Sequence, residues 1–269
     1  MGENESRLID SRSAEAPTSD LIDQRTDAVV TIVVPTRHEA DNVGPLLEGI
    51  SAALPSTAHE VLFVDDSDDD TPVRIAQAAI RAPARNIRLL HRGKPDRTGG
   101  LGGAVVAGFR MATTPWLAVM DGDLQHPPDV LPKLLARAEE TGADVVVASR
   151  YVDGGDGSAL GTTRRRVSSS AGRAARVLFP RRLDVVTDPM SGCFLVRAEA
   201  IDLDRLRPDG FKILIEILLR GRQLTVAEVP YQFGHRQAGA SKASVREGTK
   251  YVGRLVELRW QSLRGSKAA

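Results

Sequence analysis

Trp116-Leu117-Ala118-Val119-Met120-Asp121-Gly122-Asp123-Leu124-Gln125-His126-Pro127-Pro128 changes character at one residue. Its first five residues are apolar and strand-sized. Two carboxylates, one small residue apart, follow where the strand must bend. Pro127 and Pro128 stop the strand from continuing. Two such carboxylates can converge on one hard cation, and Gln125 can add an amide oxygen. Mg²⁺ and Mn²⁺ favour oxygen ligands of this kind and often bridge carboxylates to substrate phosphates. A turn merely rich in Asp and Gly is the plainer alternative.

Upstream, Val29–Val34 is a β-branched run closed by Pro35. Val61–Val64 is a second apolar run, leading straight into Asp65-Asp66-Ser67-Asp68-Asp69-Asp70, and Ile87–Leu90 is a third. Between the runs, Asp41–Ala53 places Val43, Leu46, Leu47 and Ile50 at helical spacing, with Asp41 as N-cap. Pro72–Ala82 is helical, and Gly99–Gly103 leads into a helix ending near Met111. Downstream, Val130–Glu140 is a helix and Asp144–Ala148 a fifth strand. Alternation of this kind predicts an α/β fold, with a mainly parallel sheet flanked by helices. Ligands bind such sheets beyond the carboxyl ends of the strands. Three of those ends carry unusual chemistry: Pro35–Glu39, Asp65-Asp66 and Asp121–Gln125.

The second half is less regular. Residues 153–187 are rich in Gly, Ser and Arg, including Arg164-Arg165-Arg166, and suggest a mobile loop followed by a short helix. Cys193–Val196 and Leu224–Val229 are strands, Phe211–Arg220 an apolar helix, and Gln232–Lys242 a basic loop. Residues 1–27 have the aperiodic, acidic character of a disordered tail. Residues 28–243 form the single folded domain, and 244–269 a basic amphipathic helix with its tail. That helix carries Trp260 and suits either packing against the domain or lying on a lipid surface.

Of 269 residues, 42% are hydrophobic and 26% charged, the composition of a folded protein. Aromatics are only 4%, so the core rests on aliphatic side chains. The one cysteine, Cys193, excludes an internal disulfide and a zinc-ribbon site. No apolar run approaches the ~20 residues of a membrane-spanning helix, and the opening MGENESRLIDSRSAE has no signal-peptide core. Net charge is only +1, and no nucleic-acid partner is expected. The charge is nevertheless uneven. Residues 1–149 carry 14 basic and 23 acidic side chains, and residues 150–269 carry 22 and 12. Such a split suits a site holding a cation on one side and anions on the other, though surface scatter would look the same.

The run Asp121–Pro128 resembles the D-x-D-L-Q-H-P-P signature of polyprenyl-phosphate (dolichol-phosphate) mannose synthases. These are inverting glycosyltransferases of family 2 with a GT-A, Rossmann-like fold. Other stretches match in the family's order: Val34-Pro35-Thr36 with Glu39, Val64–Ser67, Gly100-Leu101-Gly102, Ser149-Arg150-Tyr151, Asp188–Gly192, Gly210–Leu214 with Glu216, and Arg236 with Gly239, Ser241 and Lys242. The chain departs where His38 replaces a usual Asn, Asp68 a Pro, Ala240 a Glu and Ala243 a Leu.

The resemblance implies mannose transfer from GDP-mannose to a polyprenyl monophosphate, helped by Mg²⁺ or Mn²⁺. UDP-glucose as donor, or a non-catalytic nucleotide-sugar-binding protein, are the alternatives. Pro35, Thr36, Glu39, Asp65, Asp66, Gly100 and Asp121 would embrace the nucleotide. Asp121, Asp123 and Gln125 would hold the metal. The acceptor phosphate is already anionic, so it needs cationic positioning rather than a base. Arg150, Arg165, Ser241 and Lys242 are candidates for holding it, and Arg236 joins Asp121, Asp123 and Arg150 as catalytic. Asp188 and Glu216 suit either a place near the acceptor or internal ion pairs. A lipid acceptor implies a cytoplasmic protein, peripheral at the inner face of the cell membrane. A separate membrane protein would be a natural positioning partner.

Overall fold

The computed structural model describes residues 27–160, 172–208, 213–221 and 223–234. The expected N-terminal tail and C-terminal helix lie outside them. Among the described residues, seven strands form one sheet: β1 (Val30–Thr36), β2 (His59–Asp65), β3 (Ile87–His91), β4 (Trp116–Val119), β5 (Val145–Ser149), β6 (Phe194–Arg197) and β7 (Val226–Pro230). Their order is β3-β2-β1-β4-β6-β5-β7. Every pairing is parallel except those of β6, which runs antiparallel to both β4 and β5. This is the mainly parallel α/β sheet the alternation predicts.

Alternate residues of each strand face opposite sides, so the sheet needs two cores. Val33, Leu62, Val64, Val119, Val147 and Phe194 pack on one face, against α3 (Gly100–Met111) and α7 (Ile213–Arg220). On the other, Ile32, Val34, Phe63, Met120, Val146 and Leu195 meet α1 (Val43–Ala53), α2 (Thr71–Arg81) and α4 (Val130–Thr141). Close seating of α3 depends on Gly108, where an added Cβ would lie 2.5 Å from Val33 Cγ1.

Three local expectations differ from the structure. β1 runs on through Pro35 to Thr36, because the β4 ladder stops at Val33 and the proline nitrogen has no bond to lose there. Asp41 is not an N-cap. It is exposed within a 3-10 turn, Ala40–Asn42, and α1 starts at Val43 with no side-chain cap. The Arg-rich stretch holds two short helices rather than one, α5 (172–178) and α6 (Pro180–Leu183).

Candidate active site

The strand order reverses between β1 and β4, since β2 and β3 lie to one side of β1 and the remaining strands to the other. A reversal of this kind opens a crevice at the carboxyl ends, where such sheets bind ligands. The loops bearing Pro35–Glu39, Asp65-Asp66 and Asp121–Gln125 all leave from adjacent strands there. The fold therefore brings together the three strand ends singled out by the sequence.

The parallel register sets Thr36 beside Asp65, and Thr36 Oγ1 donates to Asp65 Oδ1 at 2.8 Å. Ser67 gives its backbone N–H to Oδ2 (3.2 Å) and its hydroxyl to Oδ1 (2.5 Å), while His91 Nδ1 donates to Oδ2 at 2.8 Å. A carboxylate offers about four acceptor sites, and four donors of the chain use them. With 0% exposure, Asp65 organises the strand ends from beneath. His38 N–H donates to Ser67 Oγ (2.8 Å) and Glu39 N–H to Thr71 Oγ1 (3.0 Å), clipping the loop after β1 onto the loop after β2. Glu39 accepts from Asn42 Nδ2 at 2.6 Å. His38 adopts φ +56°, a left-handed conformation that Asn also tolerates well.

Asp66 is likewise turned inward. Arg92 Nε and Nη2 donate to its two oxygens at 2.7 and 2.6 Å, and both residues are buried. Arg92 Nη2 also reaches the Gly100 carbonyl (3.1 Å), tying the start of α3 to the acidic turn. Arg97 bonds the carbonyls of Arg92 and Ser67 and forms an ion pair with Asp68 at 3.0 Å. Hydrogen bonding from Arg97 holds the exposed Asp68 carboxyl below its usual range. Burial opposes the same shift in Asp69, but hydrogen bonds from Thr71 outweigh it. His91, Arg92, Arg97 and Thr71 escaped the sequence reading. One signal was available: His91-Arg92 closes β3 at its carboxyl end, where the other strands place their polar residues.

In the metal-candidate turn, Leu124 sits at φ +61° and Asp123 Oδ1 accepts from Gln125 N–H at 3.1 Å. Asp123 is 8% exposed, whereas the Asp121 side chain is 30% exposed. His126 Nδ1 lies 3.8 Å from Asp121 Oδ2. Its ring stacks on Tyr231 (5.3 Å between centroids) and meets Phe233 edge-on (5.5 Å). Gly234 N–H donates to the Gln125 carbonyl at 2.8 Å, so the chain after β7 braces the turn directly. The donor set fits Mg²⁺ or Mn²⁺: two carboxylates and an amide, all hard oxygen, at a crevice.

Arg150 follows β5 and is only 7% exposed. Its Nε and Nη2 grip Asp188 at 2.7 and 2.8 Å, and the guanidinium lies 5.4 Å from the Tyr151 ring and 5.5 Å from Phe233. Burial works against the charge, but Asp188 outweighs it and holds the guanidinium above its usual value. Asp188 is therefore an internal ion-pair partner, and Glu216 is another, paired with Arg220 one turn along α7. A cleft of about 230 Å³ opens beside Arg150–Asp188, lined in part by Tyr151, Thr187 and the α5 residues Arg173 and Arg176. Arg165, Arg236, Ser241 and Lys242 lie outside the described residues.

The sequence pattern of "Glycosyl transferase family 2" matches residues 31–203. A dolichol-phosphate mannosyltransferase of Pyrococcus furiosus is 36% identical over 234 residues, covering 86% of this chain and 64% of that protein. An undecaprenyl-phosphate mannosyltransferase of Micrococcus luteus is 33% identical over 247 residues, covering 87% and 97%. The glucosyl-3-phosphoglycerate synthase of Mycobacterium tuberculosis, solved with Mn²⁺, UDP-glucose and phosphoglyceric acid, superposes with a TM-score of 0.64 at 18% identity. The overlap covers 87% of this chain and 80% of that one, a likeness of fold. With a mainly parallel sheet, an acidic turn at its switch point and this kinship, the chain belongs to glycosyltransferase family 2.

Proposed function

We propose that the chain transfers mannose from GDP-mannose to a polyprenyl monophosphate, with inversion at the anomeric carbon. The observation carrying this reading is the Asp121–Gln125 turn at the switch point, braced through Gly234, Phe233 and His126 to the Arg150–Asp188 centre. Relatives named for dolichol- and undecaprenyl-phosphate mannosyl transfer support the acceptor class.

Asp121, Asp123 and Gln125 would hold the divalent ion, and Pro35, Thr36, Glu39 and Gly100 would flank the nucleotide. Asp65 and Asp66 act through the groups they fix: Thr36, Ser67 and His91 for one, Arg92 and the Gly100 carbonyl for the other. When bound, Mg²⁺ or Mn²⁺ offsets the charge that develops on the departing diphosphate. Arg150, fixed by Asp188 through Nε and Nη2, would set a positive charge beside the acceptor phosphate. An oxygen of the lipid phosphate bonds to the anomeric carbon as the bond to the diphosphate breaks, and GDP departs. That oxygen is already ionised, so no base has to remove a proton. Arg165, Arg236, Ser241 and Lys242 complete the proposed phosphate cover. Among the described residues no helix is long and apolar enough to cross a membrane. A polyprenyl-phosphate acceptor would place the chain at a membrane surface, and the proposed station is peripheral, at the inner face.

The test is transfer to polyprenyl phosphate in detergent, with GDP-mannose and UDP-glucose in parallel and the lipid product detected by mass. The expected result is product from GDP-mannose alone, lost with EDTA and in Asp123→Asn. Product from UDP-glucose alone would overturn the donor and keep the acceptor. Nucleotide binding without any transfer would overturn the reading.

A further inference from the structure

β7 pairs with β5 in a register that sets Glu228 beside Val147. The Glu228 carboxylate turns to two successive residues of the chain. Thr187 N–H lies 3.0 Å from both oxygens, Thr187 Oγ1 donates at 3.0 Å, and Asp188 N–H donates at 3.2 Å. Thr187 Oγ1 also meets Ser149 Oγ (2.6 Å), which accepts from Tyr151 N–H (3.1 Å). Glu228 thus holds the turn whose next side chain, Asp188, orients Arg150. The same Thr187 and Asp188 line the cleft beside Arg173 and Arg176.

The chain leaving Glu228 continues to the other half of the site. Tyr231 N–H bonds the Ser149 carbonyl (3.2 Å), Phe233 N–H the Asp156 carbonyl (2.8 Å), and Gly234 N–H the Gln125 carbonyl (2.8 Å). A single extended segment, Glu228–Gly234, therefore touches both the turn supporting Arg150 and the turn carrying the metal-candidate ligands. Transfer rates depend steeply on such spacing, because ångström-scale misplacement of reacting groups costs on the order of a hundredfold. Burial holds the Glu228 carboxyl above its usual range against the hydrogen bonds from Thr187.

We propose that Glu228 is a positioning residue for the transfer, fixing Arg150 relative to the Asp121–Gln125 turn through the Thr187–Asp188 backbone. The inference rests on the acceptor reading given under Proposed function.

Four proteins test it: the native chain, Glu228→Ala, Glu228→Gln and Thr225→Ala. Thr225 clasps Asp144 at the far end of β7, through its N–H (2.9 Å) and hydroxyl (2.7 Å), so its removal loosens the same strand away from the site. KM for polyprenyl phosphate and for GDP-mannose are measured separately, with the thermal midpoint of each protein. In Glu228→Ala the acceptor KM should rise about tenfold or more, with the donor KM within about twofold of native. Gln keeps one acceptor oxygen and should recover part of the loss. Thr225→Ala should lower the thermal midpoint and leave both KM values in place. An unchanged acceptor KM in Glu228→Ala, or equal effects on both KM values tracking the thermal midpoint, overturns the proposal. Should Glu228→Ala fail to fold, a Gln variant with native acceptor KM overturns it equally. Absence of transfer by the native protein overturns the acceptor reading, and this inference with it.

Discussion

Gly192 lies against the Asp121 carboxylate so closely that an added Cβ would stand 2.2 Å from Oδ2 and 2.8 Å from Cγ. The glycine two residues before β6 thereby sets where the first acid of the metal-candidate turn can sit. Gly192→Ala must push Asp121 aside. Transferase activity should fall by about a hundredfold, well beyond the change in thermal midpoint. Native activity in a folded Ala variant would mean that Asp121 placement does not matter to the reaction.

Arg150 and Asp188 form a buried, two-point pair, and removing one partner strands the other's charge. Asp188→Ala should destabilise the fold by about 3–5 kcal/mol in urea titration. Replacing both, as Arg150→Met with Asp188→Leu, should restore much of that stability while transfer stays lost. A double variant that still transfers sugar would overturn the proposed acceptor role of Arg150.

Glu228 gives a pH test with a definite sign. Burial raises its carboxyl above the usual value, Thr187 hydrogen bonds oppose this, and the neighbouring Asp188 charge adds to the rise. A raised folded-state value favours the protonated fold. That contribution is complete below the unfolded value and is lost as pH rises through the folded one. Gln at this position has no charge to desolvate. The stability of Glu228→Gln relative to native should therefore improve as pH rises through and above the ordinary carboxylate range, read from thermal midpoints. A pH-independent difference would show that Glu228 titrates alike in both states.

Cys193 is wholly enclosed before β6, where burial pushes its thiol well up and the Asp121 charge adds to the shift. It should resist iodoacetamide in the native protein and react only through opening of the sheet. Its labelling rate would then report global stability under EDTA or nucleotide. Rapid labelling of the native chain would contradict the burial of β6.

Much of the sheet was legible because its signals are local. Val29–Val34, Val61–Val64 and Trp116–Met120 announce themselves by their nearly continuous apolar composition, as strands covered on both faces do. The Asp121–Gln125 turn stood out as a candidate for the same reason, since its two carboxylates and amide sit within five consecutive residues. The N-cap assigned to Asp41 failed because a 3-10 turn precedes α1, and nothing in the local pattern distinguishes the two starts.

What the tertiary structure alone decided are the pairings between distant residues. Asp66 with Arg92 and Arg150 with Asp188 join positions 26 and 38 apart. Whether an acid faces a ligand or an internal arginine depends on which strands become neighbours. The antiparallel insertion of β6 between β4 and β5 is such a choice, and it delivers Gly192 to Asp121 and Asp188 to Arg150. Local sequence determines which residues are buried and which strand ends are charged, through hydrophobic period and backbone preference. Strand order and long-range electrostatics, settled only when the whole chain packs, determine which of those charges remain for chemistry and which hold the site in place.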